Sequence, residues 1–274
     1  MSLDRLHNCF ARCGDEGRAA LIGYLTAGDP DLATSEKLLH VLAQHADIIE
    51  IGMPFSDPMA DGPTIQAASE RALAAGTRMH DVFRLALSVR KARPQAGIVL
   101  MGYANVAFAM GFEHFAEQAA LAGVDGVLIV DIPPEEARAF DAALAAHALH
   151  SIRLVAPTSS TARRQLAAQT ASGFIYYVSL TGITGAEMGK IDDIRAQTES
   201  LRKQAELPIC VGFGIKTAQQ AQAVAKFSDG VVIGSHFVSC ITIHQGDESA
   251  MLAGLDKTCA AMRAAMNRER TGED

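Results

Sequence analysis

"IEIGMPFSDPMADGPTIQ", residues 49–66, governs how the rest of the chain is read. It opens as a strand in which Ile49 and Ile51 flank Glu50. Side chains alternate across a strand, so if the two isoleucines face helices, Glu50 faces the other way, into an interior. A loop then leaves the strand carrying Pro54, Pro58 and Pro63. Three prolines fix φ at three points and lower the entropy of ordering the loop. The same loop presents Asp57 and Asp61, the latter followed by Gly62. Two plainer readings stand beside this one. Glu50 alone fits a core acid tied to a cation, or a strand in the opposite register, and the two aspartates fit ordinary turn formers.

Outward from this segment, apolar runs of strand type recur at 20–25, 48–52, 97–101, 126–130, 152–156, 174–178, 208–212 and 230–234. Most are continuous rather than alternating, the pattern of strands covered on both faces. Helical stretches lie between them, at 32–46, 67–75, 80–91, 112–122, 134–147, 162–171, 191–205 and 218–225, with a last helical region over 236–266. The first shows the pattern clearly, with apolar residues at 38, 39, 42 and 43 on one face. Ser159 and Thr217 read as N-caps. Strand–helix alternation implies a parallel sheet. Eight repeats with no long linker predict an α/β fold, one closed (β/α)8 barrel (a TIM barrel) spanning 1–274 as a single domain. An open doubly wound sheet is the alternative. Residues 1–17 read as an extra N-terminal helix placed to close the barrel bottom, and 267–274 as a frayed tail. In such barrels chemistry sits at the C-terminal ends of the strands.

Composition narrows the function classes. The chain has 274 residues, 49% hydrophobic and 20% charged, an ordinary globular balance. A net charge of −7 argues against nucleic acid and means an anionic ligand needs local donors. The five cysteines form no C-x-x-C pair and read as reduced, packed thiols. The nine histidines show no metal-ligand spacing, so no metal is expected. The first twenty residues lack the apolar core of a signal peptide, and no apolar run is long enough to span a membrane. The expected location is cytoplasmic.

Glycine clusters follow the sixth, seventh and eighth strands, in "VSLTGITGAE", "VGFGIKT" and "VVIGSH". In a barrel they share one rim. Glycines admit close backbone approach, and N–H groups at a helix start hold an anion, so this rim reads as a phosphate site.

Taken together, "YLTAGDPD" (24–31), the 49–66 segment, "GVDGVLIVDIPPEE" (123–136), "YYVSLTGITGAE" (176–187), "GFGI" (212–215) and "IGS" (233–235) resemble the tryptophan synthase alpha subunit family. The motifs occur in the family's order and cover nearly the whole chain. The resemblance implies cleavage of indole-3-glycerol phosphate to indole and glyceraldehyde 3-phosphate, a retro-aldol reaction. It makes Glu50 the general acid/base, Asp61 the second catalytic carboxylate and Tyr176 an active-site residue. Gly185, Gly214, Gly234 and Ser235 become the phosphate binders, and Thr184 the link between a lid after the sixth strand and Asp61. Tyr24, Met101, Tyr103 and Ile233 are expected to line an indole pocket, and Asp131 to face a partner or fix a loop.

The resemblance also implies a pyridoxal-phosphate-bearing beta subunit as partner in an α2β2 heterotetramer, with no cofactor in this chain. Leu180 stands where some members carry Arg, and Met188-Gly189-Lys190 departs from the usual continuation, which leaves lid behaviour less defined than the chemistry. A Schiff-base route finds no strand lysine among the seven present. Other readings are a stand-alone lyase releasing indole, a barrel that mainly activates its partner, and an isomerase or epimerase of another sugar phosphate. The intact Glu50/Asp61 pair speaks against the last two.

Overall fold

In the computed structural model, which describes residues 4–178, 188–212 and 214–267, eight parallel strands pair in sequence order and β8 closes on β1. The strands are β1 (Ala20–Thr26), β2 (Ile48–Gly52), β3 (Gly97–Gly102), β4 (Gly126–Ile129), β5 (His150–Val155), β6 (Ile175–Val178), β7 (Ile209–Gly212) and β8 (Gly230–Ile233). Each of the eight predicted runs falls on one of them. Every residue of β1, β2, β4, β7 and β8 is buried, which is why those runs carry no polar alternation.

The helices are α1 (Arg5–Asp15), α2 (Leu32–His45), α3 (Pro63–Ala74), α4 (Met79–Ala92), α5 (Ala104–Met110), α6 (Phe112–Leu121), α7 (Arg138–Ala146), α8 (Thr161–Thr170), α9 (Met188–Arg202), α10 (Ala218–Ala225), α11 (Ser235–Ile243) and α12 (Glu248–Met266). The strands' side chains divide between two apolar clusters. Ile49, Ile51, Ile98, Leu100 and Val127 pack against the helices. Ile22, Ile48, Val99, Leu128, Ile152, Cys210 and Val232 fill the barrel interior. Leu6 and Cys9 of α1 belong to the interior set and are fully buried, so the N-terminal helix closes the barrel bottom as expected. Asp4 caps that helix by accepting from the His7 N–H.

Four local expectations need correction. The 236–266 region is two helices: Gly246 takes φ +93°, and Asp247 accepts from the Ala250 N–H to begin α12. Helix α8 is capped by Ser160, which accepts from the Arg163 N–H, rather than by Ser159. Helix α7 starts four residues later than 134, after a turn in which the Glu136 N–H meets the Pro133 carbonyl. Helix α5 was not anticipated. Its first N–H, at Ala104, donates to Asp131 Oδ1 at 2.7 Å, so its start is fixed from 27 residues away. Asp131 is thereby a loop-fixing residue. Thr217 caps α10 as read, in a capping box with Gln220.

Candidate active site

The mouth of the barrel at the strands' C-terminal ends opens into a cavity of about 920 Å3. Glu50 reaches it from the middle of β2, with Ile49 and Ile51 turned to the helices, so the inward register is the one adopted. Glu50 is 1% exposed, and its Oε1 has no hydrogen-bond partner among the described residues. Burial, and then the charge of Asp61, push its carboxyl up to about 8.

Asp61 lines the same cavity from the loop after β2. One phenol holds that loop in place. Tyr103 Oη accepts from the Ala60 N–H at 3.0 Å and donates to Asp61 Oδ2 at 2.9 Å. Phe55 stacks on the Tyr103 ring with centroids 5.3 Å apart, and Gln66 Nε2 donates to the Asp61 carbonyl. Burial raises the Asp61 pKa while the Tyr103 hydrogen bond lowers it. A donor to the ionised form is what Glu50 lacks, so Glu50 holds the proton when the pair shares one.

Two tyrosines complete the polar lining. Tyr24 sits beside Glu50 in the β1–β2 register and bonds Thr26 Oγ1 at 3.2 Å. Tyr176 enters from β6. Burial keeps both phenols protonated, assisted most by Asp61 for Tyr24 and by Glu50 for Tyr176. Both need a glycine opposite. A Cβ at Gly52 would lie 2.1 Å from the Tyr24 hydroxyl, and one at Gly212 would lie 2.5 Å from that of Tyr176.

On the far rim, Gly214 takes φ +77°, a conformation few L side chains adopt. Gly234 is the N-cap of α11 and makes no side-chain cap, which leaves the first-turn N–H groups of Ser235 onward free for an anion at the positive end of the helix.

The structure therefore gathers Glu50, Asp61, Tyr176, Tyr24, Met101, Gly214, Gly234 and Ser235 around one cavity. Two predicted pocket residues are corrected. Ile233 packs in the outer cluster against the helices, and its neighbour Val232 takes the inward place, as strict alternation demands. Tyr103 is 2% exposed and acts behind Asp61 rather than as pocket wall. Gly185, Thr184 and Leu180 lie outside the described residues. The sequence reading also missed Leu154, Lys216, His236 and Arg153, all of which line the cavity. Arg153 is paired with Asp141 and 4% exposed.

With that geometry in hand, the family model of the tryptophan synthase alpha chain matches residues 10–267. This chain belongs to that family. The tryptophan synthase alpha chain of Dechloromonas aromatica (strain RCB) is 46% identical over 273 residues, covering 99% of this chain and 98% of the relative. The alpha subunit structure from Legionella pneumophila str. Paris superposes with a TM-score of 0.90 at 37% identity, covering 97% of this chain and 99% of that one. A chain of tryptophan synthase from M. tuberculosis, in an aminoacrylate-bound form, gives 0.86 at 33% identity, with 96% and 99% covered. Membership in the alpha chain family assigns this chain the alpha-subunit role in tryptophan biosynthesis, as a lyase. No described helix is long and apolar enough to cross a membrane.

Proposed function

We propose that the chain cleaves indole-3-glycerol phosphate to indole and glyceraldehyde 3-phosphate by acid/base retro-aldol chemistry. The observation that carries this is the Glu50/Asp61 pair: two acids in one cavity, neither ion-paired among the described residues, both raised by burial, with the Tyr103 hydrogen bond lowering only Asp61. The protonated Glu50 delivers a proton to indole C3, which turns that carbon into a leaving group. The ionised Asp61 stabilises the positive charge that develops at the indole nitrogen. The hydroxyl on the adjoining side-chain carbon then loses its proton to Glu50 as the C–C bond breaks. The bonding pair returns to the ring, the nitrogen is neutralised, and the aldehyde leaves. Every proton is moved by this chain's own side chains, and no cofactor is called for. Pyridoxal phosphate is assigned to a beta subunit.

That beta subunit is the partner in an α2β2 assembly, docked over the barrel mouth. Met59 is 80% exposed in the loop that presents Asp61, and Phe108 is 70% exposed on α5, the helix that Tyr103 N-caps. Both apolar side chains stand on segments bonded to Tyr103, so a partner covering them acts directly on the Asp61 loop. The setting is cytoplasmic.

The test is purified chain with indole-3-glycerol phosphate, scoring indole with and without a beta subunit. Slow turnover alone and a large rise with the partner are expected; fast release without it supports a stand-alone lyase. Glu50→Gln keeps its circular dichroism and loses about 10²–10⁴ of turnover. Near-normal turnover in that variant removes Glu50 from the mechanism.

A further inference from the structure

We infer that Lys216 and His236 form a cationic clamp across the rim, holding the phosphate of the substrate as its dianion alongside the backbone donors. This rests on the function proposed above and adds two side chains to it.

The need comes from the charge balance. The cavity carries the carboxylates of Asp61 and Asp131, its two arginines, Arg153 and Arg163, are paired with Asp141 and Glu135, and the chain is at −7 overall. A backbone rim offers only partial charges, equivalent to about half an elementary charge at a helix start. A phosphate monoester brings close to two negative charges at neutral pH. Full positive charge at the rim offsets that repulsion, and these two side chains are placed to provide it.

Lys216 follows Gly214 by two residues in the turn after β7, and His236 follows Gly234 by two in the first turn of α11. The same cavity is lined by both side chains and by both glycines. The Lys216 backbone N–H is used by Gln220 Oε1, which fixes the turn, while its ammonium forms no ion pair among the described residues. His236 is half-buried and also lacks a carboxylate partner there. Each glycine lets the backbone approach the anion, and the residue two places on puts a side chain beside it.

The pair is responsive to its ligand. Burial, and then the charge of Lys216, lower the His236 pKa below its usual value, so at pH 7.5 the empty site holds a neutral imidazole. Other ionisable groups near α11 sit elsewhere along it. Cys240 donates to the His236 carbonyl one turn on, and Arg71, paired with Asp29, reaches Thr242 at the helix's far end. Across the barrel wall, Tyr24 approaches Gly234. A dianion placed between Lys216 and His236 reverses the balance, because it screens the ammonium and favours imidazolium. Binding then draws a proton onto His236.

Glycerol 3-phosphate tests this on the full chain by isothermal titration calorimetry at pH 7.5, in two buffers of different ionisation enthalpy. At that pH the probe is already a dianion, so proton uptake reports on the protein. Wild type is expected to bind with uptake of a proton. Lys216→Ala and His236→Asn each weaken binding about tenfold, and only the His236 variant loses the proton uptake. Lys216→Arg restores binding, which separates charge from misfolding. In turnover of indole-3-glycerol phosphate the loss falls on KM, in contrast to Glu50→Gln, where it falls on kcat. If wild type binds the probe and both variants bind it equally well, the clamp is wrong and the proposed function stands. If wild type binds no phosphate ester at all, the proposed function fails and takes the clamp with it.

Discussion

Asp47 and Glu50 lie three residues apart, one just before β2 and one at its centre, and their surroundings are opposite. Asp47, at the bottom of the barrel, accepts from the Leu21 N–H at 2.9 Å and is held by Arg18 and Arg263. Burial alone would raise its pKa, but those two guanidinium groups hold it well below the usual carboxylate range. Glu50, facing the cavity, has no cation partner among the described residues and an unpartnered oxygen, and burial is left to push it up. The bottom arrangement repeats. Asp125 before β4 accepts from the Ile98 N–H and pairs with Arg5 and Arg90. Asp229 before β8 accepts from the Ile209 N–H and pairs with Arg202. Before β6 the Ser172 hydroxyl takes the Ser151 N–H in the same way. Each even strand is thus tied to its predecessor by a side chain at its foot. The acids at the strand feet are satisfied and serve stability, whereas Glu50, facing the mouth, keeps an unpartnered oxygen and serves chemistry.

The largest effect should come from breaking the satisfied end. Asp47→Ala orphans the Leu21 N–H and leaves two largely buried guanidinium groups without their carboxylate. Removing one partner of a buried pair costs about 3–5 kcal/mol. Denaturant unfolding should show a loss of that order, with turnover per folded molecule retained. A loss below about 1 kcal/mol would mean that the two ends differ less than the geometry implies.

A smaller and opposite effect belongs to the unsatisfied end. Folded Glu50 titrates near 8 and the unfolded side chain near 4.3, so between those values the native state binds the extra proton. Stability therefore falls as pH rises through that window. Glu50→Gln has no such proton to lose. Its stability relative to wild type should grow by on the order of 2–4 kcal/mol between pH 5 and pH 9. A pH-independent difference would contradict a buried, unpaired carboxyl.

Most of the barrel was legible in the sequence because strands buried on both faces must be apolar throughout, and the eight runs announce themselves. Glu50 was legible for the same reason, as the one acid in such a run. Asp61, which taken alone reads as a turn former, was legible only through the resemblance of the whole 49–66 segment to the family. The misses share a cause: they depend on partners distant in sequence. Helix α5 begins on a hydrogen bond from Asp131, Tyr103 matters for the loop it holds, and Asp47 for arginines at both ends of the chain. Ile233 was misplaced by one residue, and in a strand one residue is a change of face. Lys216 and His236 carry no local signal of a site, because only the closed barrel brings their turns to one rim.

The fold leaves Glu50 protonated near neutral pH beside an ionised Asp61. Carboxyl ¹³C NMR across a pH titration measures that directly, in wild type and in Asp61→Asn. The expected result is a Glu50 midpoint near 8 that moves downward when the Asp61 charge is removed. A Glu50 midpoint at about 4.3, the value of an exposed glutamate, unmoved by Asp61→Asn, would contradict it.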